Sequence, residues 1–257
     1  MNAPVSDEFV DVSQPRLYRD DSWDSPFARL RREDPVHFHP ESPFGPYWSI
    51  TRYADIMKVE LDHGTYSSAQ ELGGIQITDQ PKGSERPSFI RMDPPRHTAQ
   101  RKTVAPIVAP SNLANMEGLI RERTVRVLDG LPRNETFDWV DLVSTELTAM
   151  MLATLFDFPQ EDRRKLTHWS DVAIANIEDE DAVVRSEAER TAELMQMAET
   201  MAALWKVRAA QPPKFDLISM MAHGEATQNM PLPEFIGTFG LLIVGGNDTT
   251  RNSMTAA

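Results

Sequence analysis

Gly245-Gly246-Asn247-Asp248-Thr249 is the stretch whose residue types and spacing point most directly to chemistry. It closes an apolar run, residues 235–246, in which Thr238 is the only polar side chain. Gly237, Gly240, Gly245 and Gly246 interrupt that run, each costing a helix about 1 kcal/mol relative to Ala. Helix stability therefore does not account for two adjacent glycines followed by an acid and two hydroxyls. Gly245 and Gly246 would let something flat approach the backbone. Thr249 stands four residues after Gly245, so its hydroxyl can bond back to that carbonyl and loosen the helical ladder. Asp248 would then sit in an apolar wall beside an opened turn. The competing reading is a glycine-softened core helix with a polar C-terminal end. The run falls short of the ~20 apolar residues a bilayer span needs, so no transmembrane segment is expected.

A second constellation is basic. In Asp93-Pro94-Pro95-Arg96-His97-Thr98-Ala99-Gln100-Arg101-Lys102, Asp93 suits a helix N-cap and the prolines suit a first turn. Arg96, His97, Arg101 and Lys102 then crowd the positive end of the helix dipole, where anions are favoured instead. In a chain of net charge −13 such a knot needs an anion. His97 and Arg101 are four apart and share one face, ready to hold one or two carboxylates by charge-assisted hydrogen bonds. Pairing with acidic residues of the protein itself is the other reading.

The elements that must position these residues are mostly helical. Residues 1–25, broken by Pro4 and Pro15, read as a loosely held arm, and Pro26 opens a short helix through Arg32. Val36-His37-Phe38 and Tyr47-Trp48-Ser49-Ile50-Thr51 flank a turn-rich segment and predict a β-hairpin. Residues 53–62 predict a short helix with Ile56 and Val59 on one face, stopped at Gly64. Residues 65–88 hold glycines and prolines without a period and read as a long loop. Within it, Ile75 and Ile77 are the apolar points that could face a ligand or simply pack the loop.

Further helices are predicted over 112–129 (Leu113, Met116, Ile120 and Leu128 near one stripe), 138–156, 183–208 and 217–223. A turn preceded by Gln160-Glu161-Asp162 starts another. Leu194, Met197, Met201, Leu204 and Trp205 on the 183–208 helix suit ordinary core packing, with a pliable Met wall over a ligand as the alternative. The Glu178–Asp181 acidic run reads as a solvated turn. The expected fold class is mainly α with a small β-hairpin region.

With 257 residues the chain can bury a sizeable core. Its acidic balance, Lys+Arg 26 against Asp+Glu 39, makes nucleic acid and anionic membranes poor general partners. No secretion signal opens the chain, and a cytoplasmic location is expected. There is no cysteine, hence no disulfide, thiolate ligand or cysteine nucleophile within it. No metal-binding His spacing, phosphate loop or serine-hydrolase elbow occurs.

A hairpin, a basic Asp-Pro-Pro-x-His-x-x-x-Arg helix start, a run of helices and then Gly-Gly-x-Asp-Thr inside an apolar helix resembles the first part of a bacterial cytochrome P-450, a haem-thiolate monooxygenase. The resemblance runs from Trp48-Ser49-Ile50-Thr51-Arg52-Tyr53 to the end. It is nearest to the soluble hydroxylases of terminal alkane and fatty-acid carbons in residues 100–108, 151–159 and 245–254.

The resemblance implies that His97 and Arg101 hold the haem propionates and that Gly245 and Gly246 lie against the porphyrin. Asp248 and Thr249 would steer protons to dioxygen, and Leu241 and Val244 would line the side facing an apolar small-molecule substrate. It further implies electrons from NAD(P)H through a ferredoxin reductase and a ferredoxin. The family's iron ligand is a cysteine, which this chain lacks. The expectation is therefore that residues 1–257 form an incomplete domain, an N-terminal fragment of a longer enzyme without the cysteine-ligand half and inactive by itself. A sterol- or terpene-oxidising member of the same superfamily is the alternative among enzymes; a non-catalytic helical binding module is the alternative outside them.

Overall fold

A computed structural model describes residues 11–78 and 86–256. Residues 1–10 of the expected N-terminal arm and residues 79–85 of the expected loop lie outside the described residues. The chain divides into two compact units, Met1–Ser84 and Glu85–Ala257.

The first unit carries α1 (Pro15–Arg19), α2 (Asp24–Glu33), β1 (Val36–His39), β2 (Tyr47–Ile50) and α3 (Tyr53–Leu61). The strands form the expected antiparallel hairpin, pairing Val36 with Ile50 and Phe38 with Trp48. Alternation splits the hairpin's side chains into two sets. Phe38 and Trp48 pack across the strands with ring centroids 4.8 Å apart and planes tilted by 41°. On the other face His39, fully buried, stacks on Tyr47 at 4.1 Å and bonds Ser49 Oγ at 2.7 Å. Burial, then the neighbouring His37, push the His39 pKa down. The Tyr47 hydroxyl donates to Asp11 at 2.9 Å. Burial pushes the Asp11 carboxyl up, but hydrogen bonds from Ser13, Gln14 and Tyr47 outweigh it and hold the pKa at about 2. The expected long loop contains a short 3-10 turn at Gln70–Leu72, ended by Gly73 at φ +113 and Gly74 at φ +73, backbone that only glycine adopts without strain. Ile75 and Ile77 are about half exposed.

The second unit is all helical among its described residues. It comprises α4 (Arg96–Val104), α5 (Pro110–Asp129), a π-helical segment (Val140–Thr145) running into α6 (Glu146–Phe156), α7 (Arg164–Ile174), α8 (Glu187–Ala209), α9 (Leu217–His223) and α10 (Leu232–Ala256). Ser186 and Asp216 cap α8 and α9 by accepting the backbone N–H of Glu189 at 3.1 Å and Ser219 at 2.8 Å. The Ser186 cap explains why α8 begins at Glu187 and not at the predicted 183. Asp93, in contrast, is not the cap of α4. That helix starts at Arg96 with Pro95 in the capping position and no side-chain capping bond, and Asp93 enters through its backbone carbonyl, which accepts from His97 N–H at 3.1 Å.

The core gathers Leu152 and Phe156 from α6, Leu166 and Val172 from α7, Met197 and Met201 from α8, Ile218 and Met221 from α9, and Phe239 and Ile243 from α10. Met197 and Met201 are fully buried in it, so the core-packing reading of that stripe holds. The apolar stripe of α5 is not part of the core: Leu113, Ile120 and Leu128 are exposed and the helix buries no residue fully. Instead Arg123 fastens α5 to α6, donating to the Met150 carbonyl at 2.7 Å and Thr154 Oγ1 at 2.6 Å. The apolar run of α10 is buried on one side only. Phe239 and Ile243 are fully buried, while Gly245 is exposed and Leu241 and Val244 are half-buried.

Candidate functional site

The geometry of α10 decides what its motif can do. Thr249 Oγ1 donates to the Gly245 carbonyl at 2.9 Å, as the spacing predicts. The turn is nevertheless not opened, because α10 is continuous from Leu232 to Ala256. A carbonyl oxygen has two lone pairs and can take the hydroxyl in addition to its helical partner. At three- and four-residue spacing, Leu241, Val244, Gly245, Asp248 and Thr249 fall on one stripe. Gly245 and Thr249 are exposed and Leu241, Val244 and Asp248 are half-buried. Asn247 points the other way and is fully buried, its amide without a hydrogen-bond partner among the described residues.

The two adjacent glycines have different surroundings. A Cβ at Gly245 would meet nothing within 4 Å, whereas one at Gly246 would lie 2.7 Å from Leu152 Cδ1. The room for a side chain thus differs between the two glycines. Gly246 is small because α6 packs on it, and Gly245 alone leaves open space on the stripe.

Asp248 Oδ1 accepts from Arg251 Nη2 and from Asn252 Nδ2, each at 3.2 Å. The same Arg251 nitrogen donates to Asp171 Oδ1 on α7 at 2.8 Å. The hydrogen bond to Asp171, joined by Asp248, raises the Arg251 pKa above its ordinary value, so the guanidinium remains charged. Asp248 is thus a held carboxylate with one engaged oxygen. Arg251 was missed in the sequence, although its place three residues after Asp248 is an i,i+3 signal.

The basic knot on α4 divides in two. Arg96 Nη2 bonds Glu234 Oε2 of α10 at 2.7 Å, and Gln100 Nε2 bonds Glu234 Oε1 at 2.5 Å. The Glu234 side chain is only 6% exposed, so this acid is the anion for that face, as the protein-acid reading expects. His97 and Arg101 are not part of it. His97 is half-buried with its ring 6.5 Å from that of Phe89, Arg101 is exposed, and among the described residues neither has an acidic partner. Gly245 lies eleven positions after Glu234, about 16 Å along the helix at ~1.5 Å per residue.

An open groove of about 850 Å³ lies on the Arg96–Gln100 face, lined also by Lys102, Glu225, Asn229 and Glu234. It contains none of the predicted site residues. Ile75 and Ile77 belong to the first unit, whereas the α4 and α10 residues of the candidate site belong to the second. Among the described residues no cluster of His, Cys, Asp or Glu suits a metal ion, and no helix is long and apolar enough to cross a membrane.

No protein-family model matches the sequence. Individual proteins do. The chain superposes on a cytochrome P-450-153 from Novosphingobium aromaticivorans with a TM-score of 0.84 and 46% identity, covering 95% of this chain and 61% of that one. CYP153D17 from Sphingomonas sp. PAMC 26605 gives a TM-score of 0.83 and 48% identity over 98% of this chain and 62% of that one. Along nearly its whole length this chain is similar to cytochromes P-450. By sequence, the linalool 8-monooxygenase of Pseudomonas putida is 32% identical over 257 residues, 96% of this chain and 63% of that protein. The steroid C26-monooxygenase of Mycobacterium tuberculosis is 28% identical over 267 residues. The chain therefore spans about three fifths of the length of the relatives it matches. Cytochromes P-450 carry haem, and the cysteine that ligates its iron is not among these residues, which include none.

Proposed function

We propose that this chain forms the oxygen- and substrate-facing side of a haem-dependent monooxygenase. The whole protein hydroxylates an unactivated C–H bond of an apolar substrate, with the terminal carbon of a medium-chain alkane or fatty acid as the first choice. The observation that carries the reading is the stripe Leu241, Val244, Gly245, Asp248 and Thr249, on which an apolar wall, an open glycine and an acid–alcohol pair follow one another on one exposed side of α10. The fit to haem rests on two features: the space above Gly245, and two cationic or donor groups, His97 and Arg101, that no acid of the described residues occupies.

In this reading His97 and Arg101 hold the propionates by charge-assisted hydrogen bonds, and Gly245 keeps a side chain out of the space beside the ring. Bound haem supplies the redox chemistry that activates dioxygen and hydroxylates the substrate. The chain's part is to place protons and exclude water. Thr249, its proton donated to the Gly245 carbonyl, presents hydroxyl lone pairs toward the open side. Asp248 keeps Oδ2 clear of hydrogen bonds among the described residues while Arg251 and Asn252 fix Oδ1, leaving Oδ2 to pick up and pass a proton. Leu241 and Val244 offer an alkyl chain contact without a charged anchor. Electrons reach the protein from NAD(P)H through a ferredoxin reductase and ferredoxin, and the site works in the cytoplasm.

A second reading, oxidation of a terpene or sterol, is supported by the linalool and steroid monooxygenases among the relatives. Turnover of the whole protein on n-alkanes, linalool and a steroid in parallel separates the two; inactivity on alkanes with turnover of linalool or the steroid reverses the order. Thr249→Ala in the same protein is expected to raise peroxide release per electron consumed at the expense of product. Unchanged coupling would remove the role given to that hydroxyl. Residues 1–257 alone are expected to show no thiolate-type Soret band after reduction and treatment with carbon monoxide, since the ligand is absent.

A further inference from the structure

We propose that Gly237 is a notch seating the backbone of residues 86–88 on α10, and that this seat limits the length of apolar substrate the open stripe accepts. The proposal rests on the reading of Leu241 and Val244 as a substrate wall.

A Cβ at Gly237 would lie 2.2 Å from the Pro87 carbonyl oxygen, 2.5 Å from that of Arg86 and 2.7 Å from Arg86 C. All three are backbone atoms, so no rotamer change relieves the contact and the strap itself has to lift. Gly240, one turn on, would meet nothing within 4 Å, and Gly246 would meet only the end of a leucine. The approach of a neighbouring main chain is thus specific to Gly237.

The strap is anchored on a second side. Arg86 Nη2 donates to Thr191 Oγ1 on α8 at 3.2 Å. It then turns at once through Phe89–Arg91, where Arg91 N–H bonds the Ser88 carbonyl at 2.8 Å and the Phe89 ring rests against His97. Gly237 precedes Leu241 by four residues and Val244 by seven, so all three share a helix face. The strap crosses that face about 6 Å before Leu241, at ~1.5 Å per residue. Two main-chain carbonyls fixed between α8 and α10 therefore close one end of the apolar wall. A side chain at position 237 would push this end outward by roughly a methyl group and lengthen the wall.

The test uses the whole protein with Gly237→Ala, and Gly240→Ala as the control on the same helix. Dissociation constants are measured for straight-chain fatty acids differing by single methylenes, and hydrogen exchange is followed at the Arg91 amide. Gly237→Ala is expected to move the best-bound chain length upward by one or two methylenes, with about tenfold discrimination per methylene. It should also speed exchange at Arg91 and lower the melting temperature. Gly240→Ala is expected to raise the melting temperature, as Ala normally does in a helix, and to leave chain-length order and exchange unchanged. If Gly237→Ala does not fold, Thr191→Val and Arg86→Gln release the α8 anchor and are expected to shift chain length in the same direction by less. A folded variant with the wild-type chain-length order and wild-type exchange at Arg91 overturns the proposal. Wild-type protein that binds none of the fatty acids overturns the substrate wall, and the limit on length with it. Exchange at Arg91 then still reports separately on the notch.

Discussion

Gly245 and Gly246 are neighbours in one helix with opposite surroundings. The second is covered by Leu152 of α6, and the first faces nothing within 4 Å. The same contrast runs along α10. Glu234 is held by Arg96 and Gln100, Gly237 by the backbone of Arg86 and Pro87, and Arg251 by Asp171, while Leu241, Val244 and Thr249 lie on the open stripe. A glycine or an acid in a helix is therefore not informative by its type alone. What occupies the space beside it decides whether it serves packing or stays available to a ligand.

Substitutions at held and open positions sharpen that contrast. The largest effect is expected for Glu234→Ala, which leaves the buried Gln100 amide only its 3.5 Å bond to the Ala226 carbonyl and removes the partner of Arg96. Breaking a fully buried pair costs about 3–5 kcal/mol. The 60% exposure of Arg96 brings the expected loss in denaturant-unfolding stability to about 2 kcal/mol through solvent screening. Gly246→Ala comes next. Overpacking against Leu152 costs about 1–3 kcal/mol and the gain in helix propensity offsets about 1 kcal/mol, so a net loss of about 1 kcal/mol should appear in the same measurement. Gly245→Ala should reverse the sign, stabilising the protein without haem by up to about 1 kcal/mol while weakening haem binding in titrations of the whole protein. If the two glycine variants change stability in the same direction, the contrast between them collapses. The smallest stability change, within about 0.5 kcal/mol, is expected for exposed Arg101→Ala, whose effect should appear instead as faster haem loss on dilution. Full retention of haem would count against the propionate role.

Much of this architecture was legible in the residues themselves. The hairpin, α3 and α9 are local elements bounded by prolines, glycines and an Asp cap, so their signals lie within a few residues of their ends. The Thr249–Gly245 bond follows from helical spacing in the same way. What sequence reading missed depends on distant partners. Glu234 answers Arg96 across 138 residues of chain, and no period or motif announces such a pair. Likewise nothing near Gly246 reveals that Leu152 will fill the space beside it. The exposed stripe of α5 makes a related point: an apolar period shows that a face can be buried, not that it is, and here Arg123 makes the attachment.

The π-helical segment Val140–Thr145 has a consequence for how this stretch tolerates length change. It presents Trp139, whose indole donates to the Met254 carbonyl at 3.3 Å, and Ser144, whose hydroxyl accepts from Thr255 at 3.1 Å. Deleting one residue would let the segment wind as an ordinary α-helix, because the wider π turn holds one residue more than the α turn that replaces it, and the residues on either side would stay nearly in register. Trp139 would then keep its reach to the C-terminal turns of α10. Kin that are one residue shorter between positions 140 and 145 should consequently keep an indole at 139, the gap being absorbed within the π turn alone.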